Sequence, residues 1–183
     1  MTKVFIGGSR RITKLPSSVE DRLHNIVEKG LEVLVGDANG SDKVVQEFLA
    51  GLNYGKVTVY CAGEDCRNNI GNWDTRVVMP ESRQRDFSYY AAKDLQMACD
   101  ASHGFMLWDA KSNGTLNNMI NLVGRNKKVL VYFSPEKEFY KLATLADLSG
   151  MLAKCDRRSL EGFDRKLHLA KVLNRQKAIP LFS

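Results

Sequence analysis

The sequence predicts an α/β protein: an open parallel sheet of about five strands with helices on both faces, followed by a C-terminal helical tail. Two observations lead there. Short apolar runs alternate with longer segments of helical period along most of the chain, and several of those runs end in turns rich in Gly, Ser, Asn and Asp, as strands do when they feed crossover helices. The size agrees, because 183 residues with 44% hydrophobic and 26% charged side chains suit one core domain and an appendage.

The first strand is read at Val4 to Ile6, ending in Gly7-Gly8-Ser9-Arg10. A helix follows from Ser17 or Ser18, where a serine can cap the free amides, to Gly30, a residue suited to a helix C-terminus. Val33 to Val35 forms the second strand and leads into Gly36-Asp37-Ala38-Asn39-Gly40-Ser41-Asp42. The next helix carries Val44, Val45, Phe48 and Leu49 on one face. Lys56 to Cys61 is the third strand. Ala62 to Arg85 has no clear period and reads as a long excursion with function or mobility, holding Arg67, Asn68, Asn69, Trp73 and Arg76. A helix from Phe87 to Cys99, a strand from Phe105 to Trp108, a polar turn from Asp109 to Thr115 and a helix from Leu116 to Val123 follow. Lys128 to Phe133 is the fifth strand, and beyond Pro135 the pattern reads as helical. The division expected is a ligand-binding domain over 1–150 and a helical tail over 151–183.

Composition excludes several classes. No run approaches the roughly 18 apolar residues of a membrane span, and the start lacks a signal-peptide pattern, so a cytoplasmic protein without membrane association is expected. Cys61, Cys66, Cys99 and Cys155 form no zinc-ribbon or disulfide framework and read as reduced thiols. His24, His103 and His168 lie apart, outside any HExxH-type pattern; no metal and no cofactor are expected.

Chemistry is expected in three turns, which a parallel sheet gathers at its carboxyl edge. In the first, Gly7 and Gly8 let backbone amides approach a ligand, with Ser9 and Arg10 beside them; neither GxGxxG nor a Walker A loop is present. In the second, Gly36 and Gly40 flank Asp37, whose carboxylate is placed to hold ribose hydroxyls, while Ser41 or Asp42 can cap the following helix and Asp42 can equally meet a ligand. In the third, Ser112, Gly114 and Thr115 open a helix whose amides and dipole favour an anion, Lys111 adds charge, and Asp109 supplies a carboxylate. Lys93 and the aromatic residues Trp73, Tyr89, Tyr90 and Trp108 complete a set of parts that suits a nucleotide. Cleavage of an N-glycosidic bond needs a carboxylate near C1′; Asp37, Asp42, Asp86, Asp94 and Asp109 are the candidates.

VFIGGSR, VLVGDANGSDKVVQ and AKDLQMACDASHGFMLWDAKSNGTLNN, in that order over Lys3 to Phe133, resemble the SLOG superfamily. This Rossmann-like group includes the LOG (Lonely Guy) cytokinin-activating phosphoribohydrolases and the DprA family. In LOG enzymes the last loop reads PGGxGTxxE. The resemblance implies phosphate binding by its glycines and threonine, and catalysis by its glutamate with an upstream arginine. Gly114 and Thr115 match, Asn118 stands at the glutamate position, Trp108 to Asn113 replaces the proline-glycine-glycine with extra length, and Lys93-Asp94 stands at the Arg-Lys pair. An amide is no general base. The chain looks closer to bacterial SLOG proteins with a GSR turn, a GDAxGxD turn and a WDxKSxGT loop, for which the resemblance implies a nucleotide-derived ligand, often in conflict or stress systems.

The reading is therefore a protein that binds a nucleotide-like small molecule through Gly7, Gly8, Ser9, Arg10, Gly36, Gly40, Asp42, Lys111, Ser112, Gly114, Thr115 and Asn118. If it hydrolyses that ligand as an N-glycosidase, Asp109, Asp37 and Lys93 are the expected catalytic residues. The alternatives are a non-catalytic nucleotide sensor and, ranked third, a DprA-like nucleic-acid-binding protein. The net charge of +6 bears on the last, but Lys154 to Lys177 alone carries +5 and leaves +1 for the rest of the chain. Leu160, Phe163, Leu167 and Ala170 recur at helical spacing there, so the tail is expected to dock an apolar face on the domain or on a second subunit of a homo-oligomer.

Overall fold

The computed structural model describes residues 1–63, 65–80, 84 and 86–174. Its sheet has seven strands: β1 (Lys3–Gly8), β2 (Glu32–Gly36), β3 (Val57–Ala62), β4 (Asp74–Val78), β5 (His103–Trp108), β6 (Val129–Phe133) and β7 (Glu138–Leu142). Their order is β4-β3-β2-β1-β5-β6-β7, parallel throughout except for antiparallel β7. The helices are α1 (Ser17–Glu28), α2 (Ser41–Gly51), α3 (Phe87–Asp100), α4 (Asn113–Val123), α5 (Leu145–Leu152), α6 (Arg157–Leu167) and α7 (Leu169–Asn174).

Alternation along the strands feeds two cores. Val4 and Ile6 of β1, with Val33, Val35, Val57 and Val59, face Val19 and Leu23 of α1 and Val45 and Leu49 of α2. Phe5, Leu34 and Tyr60 point the other way, toward Met97 of α3 and Leu116, Met119 and Leu122 of α4. The result is an α/β/α Rossmann-like layering, and the strand order reverses between β1 and β5. That reversal opens a crevice at the carboxyl ends of the two strands, the place where such sheets hold ligands.

Two strands exceed the five expected. β4 arises inside the 62–85 excursion; it is an edge strand whose first four residues are all exposed, so it carries no alternating burial to read. β7 replaces the helix expected after Pro135. Lys137 adopts a left-handed φ of 56° in the turn, which returns the chain so that Phe139 lies opposite Tyr132, ring on ring at 5.3 Å. The helix starts also differ. Pro16, not a serine, precedes α1, and α2 begins after Gly40 with no side-chain cap.

The tail is part of the core in its described length. Phe163 of α6 is buried against the Trp108 ring, 5.7 Å between centroids, with Leu160 and Leu167 packed beside it. Ala170 leaves that face because His168 takes a left-handed conformation (φ 50°), ends α6, and puts Leu169 in the interior instead. Arg175 and Lys177 lie outside the described residues. Among the described residues, no helix is long and apolar enough to cross a membrane. Replacing Phe163 by Ala is expected to cost about 3–5 kcal/mol in urea unfolding; a loss below about 1 kcal/mol would show that α6 does not depend on this contact.

Candidate functional site

Three turns converge on Ser9. At the end of β1 its N–H donates to the Leu107 carbonyl (2.8 Å), and its Oγ donates to Asp109 Oδ1 (2.8 Å) while accepting from the Asp109 N–H (3.1 Å). Its carbonyl accepts from Ser41 Oγ (2.8 Å) and from the Ser41 N–H (3.3 Å). Ser9 is wholly buried and thus joins the first turn to both others.

The glycines make that junction sterically possible. A Cβ on Gly8 would lie 2.4 Å from the Leu107 carbonyl oxygen and 2.7 Å from Ser41 Oγ. Gly40, at φ +82°, would place one 2.2 Å from the Arg10 carbonyl oxygen. One on Gly36 would meet Asp42 Oδ2 at 2.4 Å and Lys93 Nζ at 2.7 Å. These three positions are occupied by protein. Gly114 differs, since a Cβ there would meet only Ser112 Oγ, at 4.0 Å.

In the third turn Asp109 Oδ1 also accepts the N–H groups of Lys111 (3.0 Å) and Ser112 (2.8 Å), so this carboxylate shapes the loop. Ser112 caps α4: its Oγ accepts from the Thr115 N–H (3.3 Å) and the Thr115 hydroxyl (3.0 Å), and its carbonyl takes the indole N–H of Trp108 (3.1 Å). Phe163 therefore braces, through Trp108, the residue that starts α4.

In the second turn Asp37 is closed off by Arg67. The Arg67 backbone N–H and Nε each donate to Oδ2 at 3.1 Å, and Nη2 to Oδ1 at 2.6 Å. The Asn68 amide donates to the Asp37 carbonyl (2.8 Å), and the guanidinium of Arg67 lies 4.6 Å from the Tyr90 ring centroid. Just before Arg67, Cys66 is joined to Cys61 by a disulfide, with Cα atoms 5.2 Å apart. This corrects the expectation of four reduced thiols: the loop after β3 doubles back and brings two of them together, leaving Cys99 and Cys155 free.

Beneath these turns lies a buried charge cluster. Lys93 of α3 pairs with Asp94 at 2.7 Å and reaches Asp37 at 3.9 Å. Burial pulls Lys93 down, but Asp94, Asp42 and Asp37 outweigh it and hold the ammonium above its ordinary value. Burial likewise pushes Asp37 up, yet the Arg67 hydrogen bonds and the charges of Lys93 and Arg67 leave it below the usual carboxylate range. Among the described residues the Asp42 side chain accepts only the Ala38 N–H (3.2 Å); burial pushes its pKa up to about 6, partly offset by Lys93 and reinforced by Asp94 and Asp37. Among the described residues no group of three or more His, Cys, Asp or Glu is arranged to hold a metal ion.

A cavity of about 540 Å³ opens at the β1/β5 crevice. Of the residues expected at the site, Gly7, Gly8, Arg10, Asp42, Lys93 and Asp109 line it on the side of the first two turns and β5. Lys111, Ser112, Gly114, Thr115 and Asn118 line it from α4. Ser9, Gly36, Asp37 and Gly40 do not line it and instead hold the wall from behind. Tyr90, expected as an aromatic part of the site, lines it as well, and so do Arg11, Arg67 and Lys166, which the sequence reading did not place there. Arg67 is visible in the sequence as a cation of the 62–85 excursion without an assigned role, whereas Lys166 is one basic residue among several in the tail. Trp73 and Trp108 do not line the cavity: Trp73 packs beside α2 and donates its indole N–H to the Tyr54 carbonyl at 2.8 Å, and Trp108 is fully buried.

Asp42 and Asp37 separate in pH. The folded state keeps the Asp42 proton up to about pH 6, whereas an unfolded aspartate loses it near 3.8, so the stability that Asp42 contributes falls as pH rises between those values. Asp37, shifted the other way, contributes stability that is lost only as pH drops below its ordinary 3.8. Unfolding titrations are expected to show Asp42→Asn gaining stability relative to wild type from pH 4 to pH 7; a difference that does not change with pH would contradict this.

No family model and no curated protein matches the chain in sequence. Among solved structures it is similar to DNA processing protein A from Helicobacter pylori, described for its mode of binding single-stranded DNA, with a TM-score of 0.53 and 17% identity over 71% of this chain. The match spans 64% of that protein's length. At this identity the likeness is one of fold, and it places the chain among Rossmann-like proteins of that architecture.

Proposed function

We propose that the crevice cavity binds a phosphorylated nucleoside-type small molecule. The observation that carries this reading is the first turn of α4. The first amides of a helix have no intrahelical partners and its dipole favours an anion, and here the space above Gly114 is unfilled and belongs to the cavity. Four cations line the same cavity, Arg10, Arg11, Lys111 and Lys166, none in an ion pair within 4 Å among the described residues. The volume suits a mononucleotide. The SLOG resemblance of the three turns points the same way.

If the ligand is cleaved at its N-glycosidic bond, Asp42 is the acid or base. Asp37 is held by Arg67, Asp109 spends its Oδ1 on Ser9 and on the N–H groups of Lys111 and Ser112, and Asn118 cannot take a proton. Asp42 lines the cavity with one backbone partner and a pKa near the working range. A second reading, single-stranded nucleic acid, is favoured by the fold shared with DNA processing protein A together with the unpaired cations at the mouth. It predicts binding to an oligonucleotide that weakens steeply with salt.

Thermal shift assays separate these readings. Nucleoside 5′-monophosphates at about a thousand times Kd are expected to add about 4 kcal/mol of stability, and the matching nucleosides far less. Equal shifts with and without phosphate, or none, would overturn the anion site. Release of free base from a bound monophosphate is expected to vanish in Asp42→Asn with affinity retained; undiminished release would remove Asp42 from the chemistry.

A further inference from the structure

The disulfide between Cys61 and Cys66 closes a short loop at the carboxyl end of β3, its cysteines only five positions apart. The residue that follows it, Arg67, lines the cavity and clamps Asp37 through its backbone N–H, Nε and Nη2. The described residues between β3 and β4 form no helix or strand. Their course is set by side chains: the Asn68 amide donates to the Asp37 carbonyl (2.8 Å) and to Asn39 Oδ1 (3.0 Å), and Gln46 Oε1 accepts the Ile70 N–H (2.9 Å). A disulfide over so short a loop constrains the unfolded chain less than a long-range one does. What it fixes is the geometry beside it, which here is the clamp.

The two sulfurs differ in access, since Cys61 is wholly buried and Cys66 is half-buried. We propose that Cys61–Cys66 is a redox modification site, exchanged by a dithiol, whose reduction releases Arg67 from Asp37. A thiolate of the dithiol attacks Cys66 Sγ; the bond to Cys61 breaks, and Cys61 leaves as a thiolate that takes a proton. The second thiol of the reductant then attacks the mixed disulfide and frees Cys66 as a thiol. Two electrons and two protons pass to the protein, and the dithiol becomes a disulfide. Asp37 is 1% exposed, and without Arg67 its remaining cation is Lys93 at 3.9 Å, so reduction makes the wall of the cavity more negative. An anion in the cavity is then held less tightly, a consequence that rests on the anion site proposed above.

The test uses the full chain carrying Cys99→Ser and Cys155→Ser, so that the pair alone titrates. The protein is equilibrated in buffers of graded reduced and oxidised dithiothreitol, the pair is scored by alkylation and mass, and hydrogen exchange at Arg67 Nε is followed by ¹⁵N NMR. Reduction is expected to speed that exchange at least tenfold. Coupling between two sites is reciprocal, so Arg67→Ala is expected to make the pair about tenfold easier to reduce, a shift of about 30 mV. Arg67→Lys keeps the charge without the fork; it is expected to shift the equilibrium the same way and serves should the alanine variant fail to fold. A pair that stays reduced in every buffer, an equilibrium indifferent to Arg67, or equal Nε exchange in both forms would overturn the switch. Adenosine 5′-monophosphate is expected to bind the oxidised form about tenfold more tightly. Equal affinity in the two forms would overturn the hold of the switch on the cavity and leave the anion site standing. Binding to neither form would overturn the anion site, with the exchange and equilibrium measurements still deciding the switch.

Discussion

The site depends on one buried serine. Ser9 spends its N–H, its hydroxyl and its carbonyl on two other segments, the end of β5 with the following residue (Leu107 and Asp109) and the start of α2 (Ser41). Parallel strands give no hairpin to align the loops at their ends, so something must hold those loops in register. Here a two-way exchange between Ser9 and Asp109 does so in the interior, where each group would be costly to leave unpaired. The glycines at 8 and 40 follow from it: the loops approach so closely that a methyl group would collide with backbone oxygen.

Around this junction the polar groups divide into those that hold the wall and those left over. Asp109 gives its Oδ1 to Ser9 and its own loop and Asp37 is held by Arg67, while Lys93 sits among Asp37, Asp42 and Asp94 and neutralises part of a cluster that would otherwise repel itself. What remains along the cavity is a helix start with open space above it, the cations Arg10, Arg11, Lys111 and Lys166, and the carboxyl of Asp42, with the unpaired amide oxygens of Asn113 and Asn118 buried in its wall. α6 contributes from outside through Phe163, Trp108 and the cap residue Ser112, which makes the C-terminal segment a support of the site.

Much of the sheet was legible because β1, β2, β3, β5 and β6 are buried runs between glycine turns, a pattern that parallel strands produce. β4 and β7 were not, since both are edge strands with largely exposed or half-buried residues and no core face to impose a period. At the site, Ser112, Gly114 and Thr115 could be read as a helix start, a local property. The roles of Ser9 and Asp109 could not, because their partners stand 100 residues apart, and the clamp of Arg67 on Asp37 spans 30. Local reading also placed Ala170 on the docking face, which the left-handed turn at His168 rotates away.

The central claim is that the three turns form one ligand site. Titrating ¹⁵N-labelled protein with adenosine 5′-monophosphate tests it most directly through the amides of Gly8, Ala38, Gly114 and Thr115 and the side-chain amide of Asn118. The account predicts that resonances from all three turns move together and fit one Kd. Movement confined to a single turn, or to basic residues away from the crevice, would contradict it.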